Sequence, residues 1–232
     1  MKIVGLQKVS LLDYPEHIAA TVFFGGCNLD CGYCHNRWML DEAAVAAAFS
    51  VDGLLAWLAT RVDKLDGVCL SGGEPTLHPE LPELARRVKA LGFDLKLDTN
   101  GLFPQRLAAL LDEGLLDYVA MDLKAPLTVA DYARVTRRRI DPEILRRSMA
   151  LLRASGAAYE FRTTVCPGLS EDDLWAIAAE LLPGERWFLQ PFVAAETVEE
   201  GVRGQQAMTA EELLALISDW PQNGAELHVR AG

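Results

Sequence analysis

Three of the five cysteines of this chain fall within eight residues, Cys27-Asn28-Leu29-Asp30-Cys31-Gly32-Tyr33-Cys34. The spacing, C-x3-C-x2-C, lets three thiolates converge on one soft metal centre from a single loop. Iron–sulfur clusters are ordinarily held by one cysteine per iron. Three clustered thiolates with no obvious fourth therefore point to a [4Fe–4S] cluster with one iron left open, and an open iron can take a substrate or a cofactor. Two other readings stand beside this one. With the adjacent His35, the thiols could form a Cys3His zinc site, although structural zinc usually draws on two separated ligand pairs. Neighbours such as Cys34 and His35 rarely both reach one tetrahedral metal without strain. Alternatively the thiols are inert and buried, which would be unusual for three so close together beside Gly25, Gly26 and Gly32.

Other groups able to do chemistry follow apolar runs. Gly72-Gly73-Glu74-Pro75 comes after Val68-Cys69-Leu70-Ser71. Two glycines let a backbone approach a ligand closely and expose its peptide groups; taken alone, they read as a turn ending a strand. Asp98-Thr99-Asn100-Gly101 is built from turn and cap residues. Asp122 and Lys124 are two apart and share one face of an extended chain, where an ion pair is the plain structural reading. Arg162 sits mid-run between Phe161 and Thr163. Facing a barrel interior, it would need a partner; a paired surface arginine is the alternative. Cys69 and Cys166 read as packing residues. His17, His78 and His228 have no constellation around them.

The elements that must position these groups alternate. Residues 3–9 predict a short strand and 10–17 a turn. Ile18 to Phe24 is an apolar, partly β-branched run stopped by Gly25-Gly26, as expected of a buried parallel strand. The cysteine loop then leaves its C-terminal end. Asp52 is expected to cap a helix through Leu54, Leu55, Trp57 and Leu58. Strands are predicted at 68–71, 93–98, 118–122, 159–165 and 187–192, with helices at 79–91, 104–113, 129–137, 141–154 and 170–182. Residues 194–206 read as a loop. Thr209 opens a last helix with a capping box to Glu212, and 227–230 a final short strand. Six strand–helix units predict an α/β fold with a parallel sheet and right-handed crossovers. A full eight-fold barrel typically needs ~250 residues, so 232 residues fit an open, partial barrel. In such folds the C-terminal strand ends form the active face, and the cysteine loop, the Gly72–Pro75, Asp98–Gly101 and Asp122–Lys124 motifs and Cys166-Pro167-Gly168 all follow strand ends.

Half of the residues are apolar, enough for one domain over residues 1–232. Its core is expected at about 18–192, with an N-terminal strand and turn and a C-terminal helix as extensions. No run of ~18 uncharged apolar residues predicts a membrane span, and Met1-Lys2-Ile3-Val4-Gly5 lacks a signal-peptide core. An odd cysteine count in a metal-binding pattern argues against a disulfide framework and for a reducing cytoplasm. The net charge of −11 argues against general nucleic-acid binding. The basic cluster Arg137-Arg138-Arg139, with Arg146 and Arg147, reads as a solvated helix face.

The C-x3-C-x2-C pattern, with the aromatic Tyr33 before its last cysteine, resembles the signature of the radical SAM enzymes. Lys8-Val9-Ser10-Leu11-Leu12-Asp13-Tyr14-Pro15, followed by Phe23-Phe24-Gly25-Gly26-Cys27-Asn28-Leu29, resembles the activating proteins of anaerobic ribonucleoside-triphosphate reductase. Cys34-His35-Asn36-Arg37 is similar to the pyruvate formate-lyase activating enzymes. The resemblance runs from about Lys8 to about Phe192. It implies a partial (β/α)6 TIM-like barrel, one [4Fe–4S] cluster on Cys27, Cys31 and Cys34, and S-adenosylmethionine (SAM) chelating the fourth iron. One electron from the cluster would cleave SAM to methionine and a 5′-deoxyadenosyl radical. The radical would take a Cα hydrogen from a glycine of a partner enzyme, anaerobic ribonucleotide reductase. Flavodoxin or ferredoxin is the implied electron donor.

Carried over residue by residue, the resemblance implies SAM contacts from Tyr33, Gly72, Gly73, Glu74, Asp98, Asn100, Lys124, Arg162 and Val165. Lys124 and Arg162 would meet its carboxylate. Asp98, Thr99, Asp122 and the backbone of Ala120 would line a monovalent-cation site. Val193 stands near where the related activase has a histidine after its last barrel strand, so that residue's contact does not transfer. No cysteine group lies between Cys34 and Gly72, which implies a single cluster. Two alternatives are a radical SAM enzyme acting on a small molecule, similar to 7-carboxy-7-deazaguanine synthase, and a non-catalytic, zinc-stabilised binding module.

Overall fold

The computed structural model of the chain describes residues 1–43, 45–218, 220 and 224–230. Its backbone forms two compact units. One comprises residues 1–28, 38–120 and 146–158, the other residues 29–37, 121–145 and 159–232.

In the first unit the apolar run before the cysteines becomes strand β2 (Ala19–Phe24), lying between β1 (Ile3–Ser10) and β3 (Gly67–Gly72). β1 runs antiparallel to β2, with Leu6 opposite Val22, whereas β3 is parallel to it, with Leu70 opposite Val22. β4 (Asp94–Thr99) continues the parallel set, with Leu97 opposite Leu70. Val22, Val68, Cys69, Leu70, Leu95 and Leu97 are all fully buried, as expected of parallel strands covered on both faces. Truncating one of them, such as Leu70 to alanine, should cost about 2–5 kcal/mol. Helix α1 (Val51–Ala59) is capped two residues earlier than the sequence suggested, at position 50 instead of 52. Ser50 caps it, accepting from the Gly53 N–H at 3.0 Å. Asp52 lies inside the first turn and pairs with Arg87 at 2.7 Å. Helix α2 (Leu81–Ala90) buries Leu81, Leu84, Ala85 and Val88, the i, i+3, i+4, i+7 stripe of a core-facing helix. Helix α3 (Pro104–Asp112) buries Leu107 and Leu110. β5 (Tyr118–Asp122) then carries the chain from the first unit into the second.

In the second unit, α4 (Val129–Thr136) is capped by Thr128 and ends at Arg137 in the left-handed conformation, φ 58°. Arg137 therefore terminates a helix and pairs with Glu199 at 2.6 Å; it does not lie on a solvated helix face. Helix α5 (Pro142–Ala154) returns the chain to the first unit. β6 (Ala158–Val165) and β7 (Arg186–Pro191) pair in parallel with Phe161 opposite Trp187, and β8 (Glu226–Val229) extends them with Leu227 opposite Trp187. Trp187 is fully buried and donates to the Thr163 hydroxyl at 3.0 Å. Helix α6 (Glu171–Ala178) has a reciprocal Ser170–Asp173 capping box. Within the stretch expected to be loop lies a short helix, α7 (Glu200–Arg203). One turn of helix leaves no periodicity to read. Helix α8 (Ala210–Ser218) opens with the expected box, Thr209 N–H to Glu212 at 2.8 Å and Glu212 N–H to the Thr209 hydroxyl at 3.2 Å. Among the described residues no helix is long and apolar enough to cross a membrane.

Candidate active site

Cys27 belongs to the first unit, three residues beyond β2. Its approach is fixed by backbone bonds: Gly25 N–H to Lys2 O at 3.0 Å, Gly26 N–H to Met39 O at 2.7 Å and Cys27 N–H to Leu40 O at 3.2 Å. Gly72 and Gly73 pass directly against this segment. Gly72 has φ +115°, and a Cβ there would sit 2.4 Å from the Phe24 nitrogen; on Gly73 it would sit 1.9 Å from the Gly26 oxygen. The first demand on these glycines is thus the close packing of two strand ends, which locks the chain leading to Cys27. Glu74 continues the contact, its N–H donating to Gly26 O at 2.8 Å.

The Glu74 side chain is buried and filled with donors. It accepts from the Thr76 N–H at 3.0 Å, the Thr76 hydroxyl, the Thr99 hydroxyl at 2.7 Å and the Asn100 N–H at 2.7 Å. Burial pushes its carboxyl up, and the donors pull it back. Glu74 therefore staples the loop after β3 to the loop after β4. From that second loop Asn100 donates its amide to Asn28, beside Cys27, at 2.8 Å. Asp98 accepts from the Ser71 hydroxyl at 2.9 Å and from the ammonium of Lys96, a buried residue whose role was not legible in the sequence. Thr99 and Ala120 are buried. His78, expected to be incidental, donates to Gly25 O at 3.0 Å and holds the start of the cysteine loop.

Cys31, Tyr33 and Cys34 belong to the second unit. Cys34 N–H bonds to Cys31 O at 3.1 Å, closing a tight turn, and the Asn36 N–H donates to the Cys34 sulfur at 3.3 Å. Arg37 braces the turn, donating to Cys31 O at 3.0 Å and pairing with Asp30 at 3.1 Å. Gly32 accepts from Glu199 N–H at 3.2 Å, and a Cβ there would meet Arg137 and Val202 at 3.0 Å. α7 and its flank thus clamp the cysteine turn. His35 donates to Val193 O at 2.8 Å. Asp122 at the end of β5 is held between two cations, Lys124 at 2.9 Å and Arg162 at 3.0 Å. Lys124 N–H in turn donates to the buried Tyr132 hydroxyl at 3.2 Å. Burial raises the Cys31 thiol, opposed first by the Lys124 ammonium. Burial, and next the Cys31 thiol, push Cys166 up to about 12, which fits a packing role. Val165 is buried at the end of β6.

These residues match the Radical SAM superfamily over residues 21–181. The chain belongs to that superfamily. This radical SAM enzyme is 32% identical to a putative glycyl-radical enzyme activating enzyme of Methanocaldococcus jannaschii, over 84% of this chain and 82% of the relative. It is 35% identical to a 7-carboxy-7-deazaguanine synthase of Methanopyrus kandleri over 46% of this chain and 49% of that protein. Among solved structures it resembles Streptococcus suis SuiB bound to S-adenosylmethionine, with TM-score 0.67 and 13% identity, over 90% of this chain and 51% of that one. The radical SAM enzyme thus spans about half the length of SuiB and of the deazaguanine synthase. The α/β partial barrel expected from strand–helix alternation is the fold shared with these structures. Membership implies a [4Fe–4S] cluster and SAM, and replaces the reading as a non-catalytic zinc module.

The donors present fit such a cluster. All five thiols are unbridged, and three are carried on one loop of eight residues. Cys31 and Tyr33 are buried, and the Tyr33 hydroxyl lies beside the Cys31 thiol. Among those residues no three or more His, Cys, Asp or Glu side chains are gathered into a ready-made ion site. The monovalent-cation set does not fit in the same way, because each of its two carboxylates already has a protein cation.

Proposed function

We propose that this chain is a glycyl-radical-enzyme activase and that its partner is an anaerobic ribonucleotide reductase. The observation that carries the reading is the similarity to a putative glycyl-radical enzyme activating enzyme over 84% of this chain and 82% of that one. The Lys8–Pro15 and Phe23–Leu29 segments supply the choice of partner.

In this reading Cys27, Cys31 and Cys34 hold three irons of the cluster. When bound, the cluster and SAM would supply one-electron cleavage of the sulfonium and a radical able to take a glycine Cα hydrogen. The chain's own residues bind and orient. Lys124 and Arg162 present positive charge to the SAM carboxylate; around Asp122 the three side chains carry a net positive charge, which suits an anion. The loops stapled by Glu74 offer backbone groups to the methionyl end. Tyr33 and Val165, both buried, provide apolar surface that keeps water away. Asp98 and Asn100 belong to the supporting network around these loops. A flavodoxin or ferredoxin is the proposed electron source.

The test mixes reduced, cluster-loaded protein and SAM with the host's anaerobic ribonucleotide reductase, without oxygen, reading electron paramagnetic resonance and 5′-deoxyadenosine together. A glycyl doublet formed with 5′-deoxyadenosine is the expected result. 5′-Deoxyadenosine without the doublet would remove this partner and favour a small-molecule reaction, the second reading that the deazaguanine synthase similarity supports. Neither signal from fully loaded protein would overturn both.

A further inference from the structure

The cation that serves Asp98 is part of the chain. We propose that Lys96 is a built-in replacement for the monovalent metal ion at the SAM-binding end of this radical SAM enzyme, so that the protein neither needs nor binds potassium or sodium there. The observation is the pairing of the Lys96 ammonium with the Asp98 carboxylate inside the first unit.

Lys96 is 1% exposed, although it stands in a strand whose alternation, Asp94-Leu95-Lys96-Leu97-Asp98, reads as half solvated. A buried ammonium holds its charge only against an anion, and Asp98 is that anion. Among the described residues the ammonium also lies 3.8 Å from the Cys69 sulfur and 5.9 Å from the centroid of the Tyr118 ring; an aromatic face is itself favourable for a cation. Potassium and sodium are held by oxygen donors whose negative charge offsets their own, as harder cations are. Here the side-chain oxygens such an ion would use at the end of β4 are engaged. Asp98 takes Lys96 and Ser71. The Thr99 hydroxyl donates to Glu74 at 2.7 Å and accepts from the Gly101 N–H at 3.1 Å. In the second unit, Asp122 already faces Lys124 and Arg162. Among the described residues each of these carboxylates thus already faces a protein cation, which offsets the charge that would draw a metal ion. Lys96 is thus a positioning residue: it fixes Asp98 and the end of β4, from which Thr99 and Asn100 reach the Glu74 staple.

The proposal rests on the reading of the chain as a SAM enzyme, and the test separates the two. SAM affinity of the cluster-loaded, full-length protein is measured in potassium, sodium and choline chloride at matched ionic strength. Sodium NMR relaxation is followed on the same protein without SAM. Wild type should bind SAM within about twofold in all three salts and show no saturable sodium site, whereas Lys96→Met should lose about tenfold or more in choline and regain most of it in potassium or sodium. The variant should also acquire a saturable sodium signal, which a merely structural lysine would not create. A saturable gain of about tenfold by wild type in potassium or sodium overturns the proposal, as does a sodium site in wild type or a Lys96→Met variant unaffected in choline. Should Lys96→Met fail to fold, the wild-type measurements still decide, with Lys96→Arg expected to stay salt-independent. Absence of SAM binding in every salt would overturn the SAM reading and leave sodium relaxation to judge Lys96.

Discussion

Four donors converge on one buried carboxylate at Glu74, and this explains why a glutamate follows the two glycines. A glutamine has the same shape but turns one acceptor oxygen into a donor, set against N–H and O–H groups that are themselves donors. Glu74→Gln should therefore cost about 1–3 kcal/mol, the penalty of unmet buried donors, seen as a lower urea midpoint with an unchanged slope. It should also weaken SAM binding, because the loops after β3 and β4 lose their common anchor. An unaltered midpoint would mean that the four donors around Glu74 do not depend on its second carboxylate oxygen for stability. The sequence placed Glu74 among the SAM contacts that the resemblance implies. It did not suggest Lys96, because alternation reports polarity by face, and in β4 both faces are covered.

Elements depend on a few such ties. β2 and β3 are joined beyond their ladder by His78, which sits in the turn following β3 and donates to Gly25. Burial lowers the basicity of this histidine, and Glu42 at 3.9 Å, with Glu80 weaker, opposes the effect while the N-terminal amine reinforces it. With the folded value below the unfolded one, the unfolded chain binds more protons between them. The contribution is thus complete above the ordinary histidine value, about pH 6.5, and is lost as pH falls through the lower folded value. Urea midpoints of wild type should drop over that window more steeply than those of His78→Gln; parallel curves would remove His78 as the cause. At the other end of the chain, β8 is held by Arg230, which pairs at 3.1 Å with Glu160, itself fully buried in β6. The arginine end is 29% exposed, so solvent weakens the pair, and Glu160→Gln should cost about 1–3 kcal/mol, less than breaking a wholly buried one. Hydrogen exchange should localise the loss to β8 and α8. The strands and most helices were legible from apolar runs and glycine stops, joined at α6 and α8 by capping boxes. α7 was not, since a single turn has no period, and neither was the cap of α1, because Ser50 and Asp52 are both good caps and only the backbone decides between them.

Across the whole molecule, 33 acidic residues oppose 22 basic ones, a net charge of −11. Like charges at the surface repel and work against compaction, and dissolved salt relieves this within a Debye length of about 10 Å at 0.1 M. Raising ionic strength should therefore raise the urea midpoint of wild type, most steeply at low salt. Because screening depends on charge and concentration alone, sodium, potassium and choline chloride should act alike. A bound metal ion behaves differently: it adds a logarithmic gain above its own dissociation constant, confined to ions small enough to sit on oxygen. Lys96→Met should show both effects, the common slope and, above it, an increment in sodium or potassium that choline lacks. The comparison also bounds the role of Lys96 from the opposite side. If wild type carries the same sodium or potassium increment, the lysine is an ordinary buried ion pair, and the native protein holds a metal ion although Asp98 and Asp122 already face protein cations.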